Sequence, residues 1–463
     1  HAPDTRMGAW PTTCERLAAG SSELYRAQWK EVVPAFAGVA DRMDRLEMQW
    51  HAYVLLAMAN WSERYQESYI PQGTVYEYRQ GASAGIRDHL QHMLPLCAIH
   101  PDLAQSILRF AFKKTDRRGD ILSSDEGAGN YPLGSGQQSD NQIYLFMALA
   151  EYLKQTADPA ILLQPLPFRG GSQAEREPVL LRLRRCFLYF RDVVSTGDHG
   201  LVRMLCADWN DCLYSYFSDI PYQQIFRKGE SHLNAAMAVV VLGDLLDGFA
   251  GVVDAEELRP LRQDVDDLLA AIRHTRGRLL EALLADWEDR PFLRRAYIGR
   301  DRELGEASMI IEPQPFALLI PEVPLDKRRA LWGEIRERVY DMETKGARQA
   351  EVPLGRSDAG GSRENGGFWF ALNGPLVRAL LAVDPQEAEN ACRKMTLARH
   401  ATDFPHYWVG MWSGPDSFDS SLLPSEGLGS GYTRTFPIYC AHAHAWPLYG
   451  LMLVHDNSRH TTA

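Results

Sequence analysis

Apolar positions recur at helical spacing along most of the chain. Met43, Leu46, Trp50 and Val54 fall on one face, as do Ile143, Phe146, Met147, Ala150 and Leu153, and again Leu261, Val265, Leu268 and Ile272. Long strand-like alternation is scarce. About a dozen helical stretches are separated by loops rich in Gly, Ser, Pro and Asp, at 115–140, 164–176, 197–227, 287–311, 345–366 and 402–435. That many amphipathic helices bury their apolar stripes by pairing into an inner and an outer ring, so the pattern predicts an all-α protein whose long loops gather at one mouth. Loops of this length are uncommon unless functional, and these hold much of the Trp, Tyr, Asp, Glu and Arg. No low-complexity linker or short repeat interrupts the sequence. The reading is one domain over 1–463, with 1–40 as a lead-in helix or linker.

Composition narrows the partner. An apolar content of 45% in 463 residues supplies a substantial core. The net charge of −11 is spread along the chain, which argues against nucleic acid or an anionic membrane and for an uncharged ligand. Seven scattered cysteines, none in a Cys-x-x-Cys pair, read as reduced core thiols. No unbroken apolar run approaches the roughly 18 residues of a membrane span. The start, His1-Ala2-Pro3-Asp4, has no leader pattern, and the expectation is a cytoplasmic protein. Phosphate-loop, dinucleotide and His-Glu-x-x-His motifs are missing, and His442 and His444, two apart, point to different helix faces. Neither a metal nor an organic cofactor is expected.

Three segments carry candidate chemistry. In Gly197–Asp211 two carboxylates flank an aromatic and an amide, as Asp208-Trp209-Asn210-Asp211. Glycosidic cleavage needs a carboxylic acid to protonate the leaving oxygen, and an indole beside it offers a platform for the sugar ring. Asp211 is the candidate acid and Trp209 the platform; the plainer alternative is that Asp208 and Asp211 form an Asx-turn or cap a helix. Tyr76–His89 is a glycine-punctuated loop with Tyr78 and Arg79, leading to Arg87 and Asp88 at a helix start. A carboxylate there can accept from two sugar hydroxyls while arginines fix it, or it simply starts the helix beside a solvated Arg. Gly360–Phe370 sets Arg363, Glu364 and Asn365 between glycines that let backbone approach a ligand, or else form a turn with Glu364 as cap.

Taken in order, these segments resemble the helical barrel of the cellobiose and chitobiose phosphorylase family, from about residue 41 to the end. The resemblance is carried by Gly85-Ile86-Arg87-Asp88, Ser139-Asp140-Asn141, His199-Gly200-Leu201 leading to Asp208-Trp209-Asn210-Asp211, Arg294-Arg295-Ala296-Tyr297, Glu312-Pro313-Gln314 and Arg363-Glu364-Asn365-Gly366-Gly367. It implies an (α/α)6 barrel and an inverting mechanism with Asp211 as general acid. Asp88 and Trp209 would bind the donor sugar, and Glu364 would lie near the acceptor. The expected substrate-binding set is Arg87, Asp88, Trp209, Asp208, Arg363, Gln314, Tyr78 and Arg79.

The chain also departs from the family pattern. The barrel pattern starts so near residue 1 that the family's N-terminal β-sandwich is not expected within these 463 residues. No histidine follows the Glu-Asn-Gly-Gly stretch, and the Thr-Gly pair expected before the last helix does not occur in Thr433–Tyr439. These residues hold phosphate in the family, so the phosphate pocket reads as dismantled. Phosphorolysis needs one protein carboxylic acid, whereas hydrolysis needs a second carboxylate as base. Glu426 and Glu364 are the first candidates for that base, with Asp416 and Asp419 as alternatives. The leading expectation is an inverting hydrolase of a gluco-configured, β-linked oligosaccharide. The second is a phosphorylase that takes inorganic phosphate as co-substrate on Arg79, Arg434, His442 or His444. The third is a non-catalytic sugar-binding domain.

Overall fold

The computed structural model describes residues 21–73, 85–125, 132–134, 136–172, 174–217, 219–299, 302–355, 360–403, 412–423 and 440–461. Helix α1 (Ser21–Val32) lies ahead of the barrel, its Trp29 ring 4.6 Å from that of Tyr53. From there the chain alternates between outer and inner helices six times: α2 (Arg42–Ala57) and α3 (Ile86–His92), α4 (Pro101–Lys113) and α5 (Asn141–Thr156), α6 (Val179–Tyr189) and α7 (His232–Ala250), α8 (Arg262–Trp287) and α9 (Gln314–Leu319), α10 (Leu325–Ile335) and α11 (Phe370–Val383), α12 (Pro385–Lys394) and α13 (His442–Thr461). The second member of each pair packs on the next: α3 on α5, α5 on α7, α7 on α9, α9 on α11, α11 on α13, and α13 back on α3. The ring is closed, and the fold is the expected (α/α)6 barrel.

Burial explains which helices lie inside. Helix α7 is apolar all round because neighbours cover it on every side; Leu233 to Leu242 are all buried. By length and composition it could cross a bilayer, contrary to the expectation that no segment would, but here it is a barrel stave. Its start is fixed by Ser231, whose side chain accepts from the Asn234 amide. Outer helix α8 buries only a stripe that includes Val265, Leu268 and Ile272, as the periodicity predicts.

Helix α2 is a correction. Met43 and Leu46 are exposed and Trp50 and Val54 only half-buried, while Asp44, Glu47, Met48, His51, Ala52 and Leu55 face inward. Polar residues occupy the inner face because each has a partner there. Glu47 accepts from the amides of Leu397 and Ala398 and from the His51 ring, and Asp44 pairs with Arg393 and His455. Hydropathy alone reads such a face as outward.

Short β-pairs brace the loops that precede the inner helices. Gly229–Ser231 runs into α7 and pairs antiparallel with Ala296–Ile298, which pairs with Glu303–Leu304; Phe368–Trp369 runs into α11 and pairs with Ser417–Phe418. Among the described residues, the segments carrying candidate chemistry thus arrive at the N-terminal ends of inner helices. None of the six described cysteines forms a disulfide.

Candidate active site

The floor of this mouth is a buried polar network. Asp208, fully buried, accepts from Nη1 and Nη2 of Arg295 at 2.7 Å each and from the Ser231 hydroxyl at 2.6 Å. Burial works to raise its carboxyl, but Arg295 outweighs this and holds it below the usual range. Arg295 also donates from Nε to Glu312, which accepts from Gln349 at 2.6 Å and from Asn210 at 3.3 Å. Gln349 in turn accepts from the Gly366 amide at 3.0 Å. One chain of charge-assisted bonds therefore ties the Trp-Asn-Asp loop to the glycine-rich loop before α11. A second brace lies beside it. Glu230 accepts from the His199 amide and ring and from the Leu201 amide, while Asp286 holds His232, Arg294 and Tyr297.

On this floor Asp211 projects into the open, its side chain about half exposed. It accepts from Arg87 Nη2 at 2.7 Å and from Gln138 Nε2 at 3.0 Å. Arg87 also donates to the Asp208 carbonyl at 2.8 Å and to Asp140 at 3.2 Å, so one guanidinium fixes the loop and the carboxylate at its end. Burial pushes the Asp140 carboxyl up to about 7 against the pull of Arg87. Next in sequence, Asp88 lies 3.8 Å from His442 Nε2; burial raises it to about 6, opposed by His442 and Arg87. Gly85 is required here, since a Cβ would fall 2.1 Å from an Asp88 carboxylate oxygen.

The third side is aromatic and acidic. Trp209, half-buried, meets Trp369 edge to face at 5.0 Å, and Trp369 donates from its indole to the Arg363 carbonyl. Arg363 is exposed, has φ of 47°, and lies 3.5 Å from Glu364. Burial raises the Glu364 carboxyl; Arg363 opposes this, and the charges of Asp416 and Asp211 add to it. Around Asp88 the Asp416 carboxylate lies 3.0 Å from His442 Nδ1 and accepts from Gln72 at 3.2 Å. His92, Cys440 and His442 each bring one donor atom within 4.8 Å of the others, the one such His/Cys group found among the described residues. His444 points elsewhere, to His51 at 3.0 Å and Ser413 at 2.8 Å.

The structure thus brings together Arg87, Asp88, Trp209, Asp211 and Glu364, with Arg363 at the rim and Asp416 beside Asp88. Two expected sugar ligands prove to be framework. Asp208 is enclosed by Arg295 and Ser231 and also forms the Asx-turn considered from sequence, its Oδ1 accepting from the Asn210 amide at 3.1 Å. Gln314 is buried, its amide spent on the backbone of Leu293 and Ile310. Arg87 is not a solvated helix-start residue, being 15% exposed. Tyr78, Arg79, Glu426 and Arg434 lie outside the described residues. Gln72, Gln138 and Asp140 were not singled out; only Asp140, just ahead of α5 in a segment already quoted, carried a signal.

The chain is similar to several known proteins. Residues 28–338 match the glycosyl hydrolase 94 superfamily, catalytic domain. Solabiose phosphorylase of Paenibacillus borealis is 28% identical over 138 residues, covering 30% of this chain and 16% of that protein. The cyclic beta-(1,2)-glucan synthase NdvB of Rhizobium meliloti (strain 1021) is 24% identical over 399 residues, 77% of this chain and 13% of that one. The chain therefore spans under a fifth of the length of either relative. Among solved structures, an uncharacterized conserved protein of Thermus thermophilus superposes with a TM-score of 0.59 at 12% identity, over 88% of this chain and 99% of the other. The GH63 mannosylglycerate hydrolase of the same organism, in complex with glucose, does so with a TM-score of 0.54 at 12% identity and the same coverage. At that identity the likeness is one of fold. The family match, extending over about two thirds of the sequence, places this chain in the glycosyl hydrolase 94 superfamily.

Proposed function

We propose that this chain is an inverting glycoside hydrolase that cleaves a gluco-configured, β-linked oligosaccharide. The observation that carries the reading is a second carboxylate, Glu364, beside Trp209 and Trp369 in the same mouth, raised chiefly by burial and in smaller part by the charges of Asp416 and Asp211. An acid alone suffices when phosphate attacks; water needs a base on the opposite face of the sugar. Asp211 gives its proton to the leaving oxygen, Trp209 supports the ring, and Asp88 accepts from the hydroxyls of the donor sugar. Glu364 takes the proton of the attacking water, with Glu426 as the other candidate. Arg87 fixes Asp211 in the mouth.

Phosphorolysis is the second reading, favoured by the phosphorylase among the relatives. Of its candidate anion ligands, His442 stands between two carboxylates and His444 is bonded to His51 and Ser413. A phosphate there would meet like charge or no free donor.

Product analysis decides between them. A panel of β-linked gluco-oligosaccharides, β-1,2-linked members included, is incubated with and without inorganic phosphate, with Asp211→Asn as control. Free sugar formed equally in both, and lost in the variant, is the expected result. A sugar 1-phosphate formed only with phosphate would replace this reading by phosphorolysis, and sugar binding without turnover would replace it by a binding domain.

A further inference from the structure

Behind Asp88 lies a group of side chains whose arrangement the sugar chemistry does not require. His92, on α3, is fully buried, and its Nδ1 lies 3.3 Å from the Ile70 carbonyl. Donation through Nδ1 leaves the Nε2 lone pair free, and Nε2 has no hydrogen-bond partner among the described residues. Cys440 is fully buried, and its Sγ lies 3.5 Å from His442 Nδ1. His442 is 4% exposed, and Asp416 Oδ1 lies 3.0 Å from the same Nδ1. A buried, unpartnered imidazole nitrogen whose residue groups with a thiol and a second imidazole, ligand atoms within 4.8 Å of one another, calls for an occupant.

We propose that His92, Cys440 and His442 coordinate a divalent metal ion of the zinc class, with the fourth position left open. Two imidazoles and one thiolate form a nitrogen and sulfur set that suits zinc better than magnesium or calcium. Bonds of about 2.0 Å to N and O and about 2.3 Å to S, set tetrahedrally, separate neighbouring ligand atoms by roughly 3.3–3.6 Å. The 3.5 Å between Sγ and Nδ1 is close to those spacings before any adjustment. On binding, Cys440 and His442 Nδ1 give up their protons to solvent.

The outer partners of such a site are also in place. The Ile70 carbonyl orients His92, Gln72 donates to the other oxygen of Asp416 at 3.2 Å, and the remaining nitrogen of His442 faces Asp88. The loops that bring these residues together are fastened to one another, since the Cys440 amide donates to the Gly414 carbonyl and the Ala441 amide to that of Gln72. The metal would hold His442 and, through it, position Asp88 without touching substrate.

The test is elemental analysis of the purified full chain, without a polyhistidine tag, after dialysis. One equivalent of zinc is expected, and it should fall to background in Cys440→Ser. Cys440→Ser changes one atom, and far-ultraviolet circular dichroism confirms that it is folded. Should it prove unfolded, cobalt replacement in the unaltered chain decides instead, with a thiolate-to-cobalt charge-transfer band expected. Zinc retained in folded Cys440→Ser, or a chain that takes up neither zinc nor cobalt, would overturn the proposal. These readouts are independent of whether the enzyme hydrolyses or phosphorolyses its substrate.

Discussion

Arg87 Nη2 donates to Asp211 Oδ2 at 2.7 Å while Nη1 of the same guanidinium donates to the carbonyl of Asp208. A side chain on the first inner helix thereby sets the rotamer of the candidate acid and the loop that carries it. Lys replaces the planar guanidinium fork by a compact ammonium, which does not span the separated acceptors that Nη1 and Nη2 reach. Arg87→Lys is expected to lower kcat/KM by about 100-fold, the scale of a misplaced catalytic group. Arg87→Ala also leaves Asp140 buried and unpaired, which costs about 3 kcal/mol in denaturant unfolding. Activity unchanged in both variants would remove Arg87 from the site.

Asp208 and Asp211, three residues apart, should separate cleanly by substitution. Asp211→Asn alters a half-exposed side chain, so stability should stay within about 0.5 kcal/mol while turnover falls by 100-fold or more. Asp208→Asn leaves Arg295 less than neutralised in the core and should cost about 3–5 kcal/mol. The acid assignment adds a further reading: with an aryl leaving group that needs little protonation, Asp211→Asn should recover much of its lost rate.

The pH profile follows from Glu364. A base must be ionised, so kcat/KM should fall as pH drops through its pKa, which burial holds above the ordinary glutamate value of 4.5. The acidic limb of the profile is therefore expected above that value, and Glu364→Gln should abolish turnover of the natural linkage. An acidic limb at or below it, unchanged in Glu364→Gln, would transfer the role to Glu426.

Asp286 gives a stability test away from the chemistry. His232, Tyr297 and Arg294 outweigh its burial and hold its carboxyl at about 2. Its folded pKa lies below the unfolded one, so the stabilisation is complete above about pH 4 and is lost as pH falls toward 2. A shift of that size corresponds to about 2 kcal/mol. Asp286→Asn should be less stable by about that amount at neutral pH, and the difference should shrink on acidification between about pH 4 and 2.

The alternation of helices was legible because burial on one side leaves a 3.6-residue trace, as in α8, and the long loops marked where the helices meet the mouth. Other features left no such trace. The inner face of α2 is polar, and its Glu47 is satisfied by amides some 350 residues away, a pairing that no local window contains. Asp208 and Gln314 carry residue types common to sugar sites and to buried frameworks; only their partners, Arg295 at a separation of 87 and Leu293 at 21, tell the two apart. The pair His442 and His444 was rightly read as divergent, yet His442 meets His92 and Cys440 through the closing of the ring rather than through spacing.

That closing has a consequence for how the chain acquires its fold. The indole of Trp446 donates to Gln91, a contact spanning 355 residues, and α13 packs on α3 as the final stave. Until α13 has been synthesised, the apolar inner faces of α3 and α11 have no partner on that side. Loop-closure entropy and the distance between contacting segments both slow such a step. A nascent chain stalled before residue 442 would carry the Trp-Asn-Asp loop and its acid, but in a barrel open along one seam and prone to self-association.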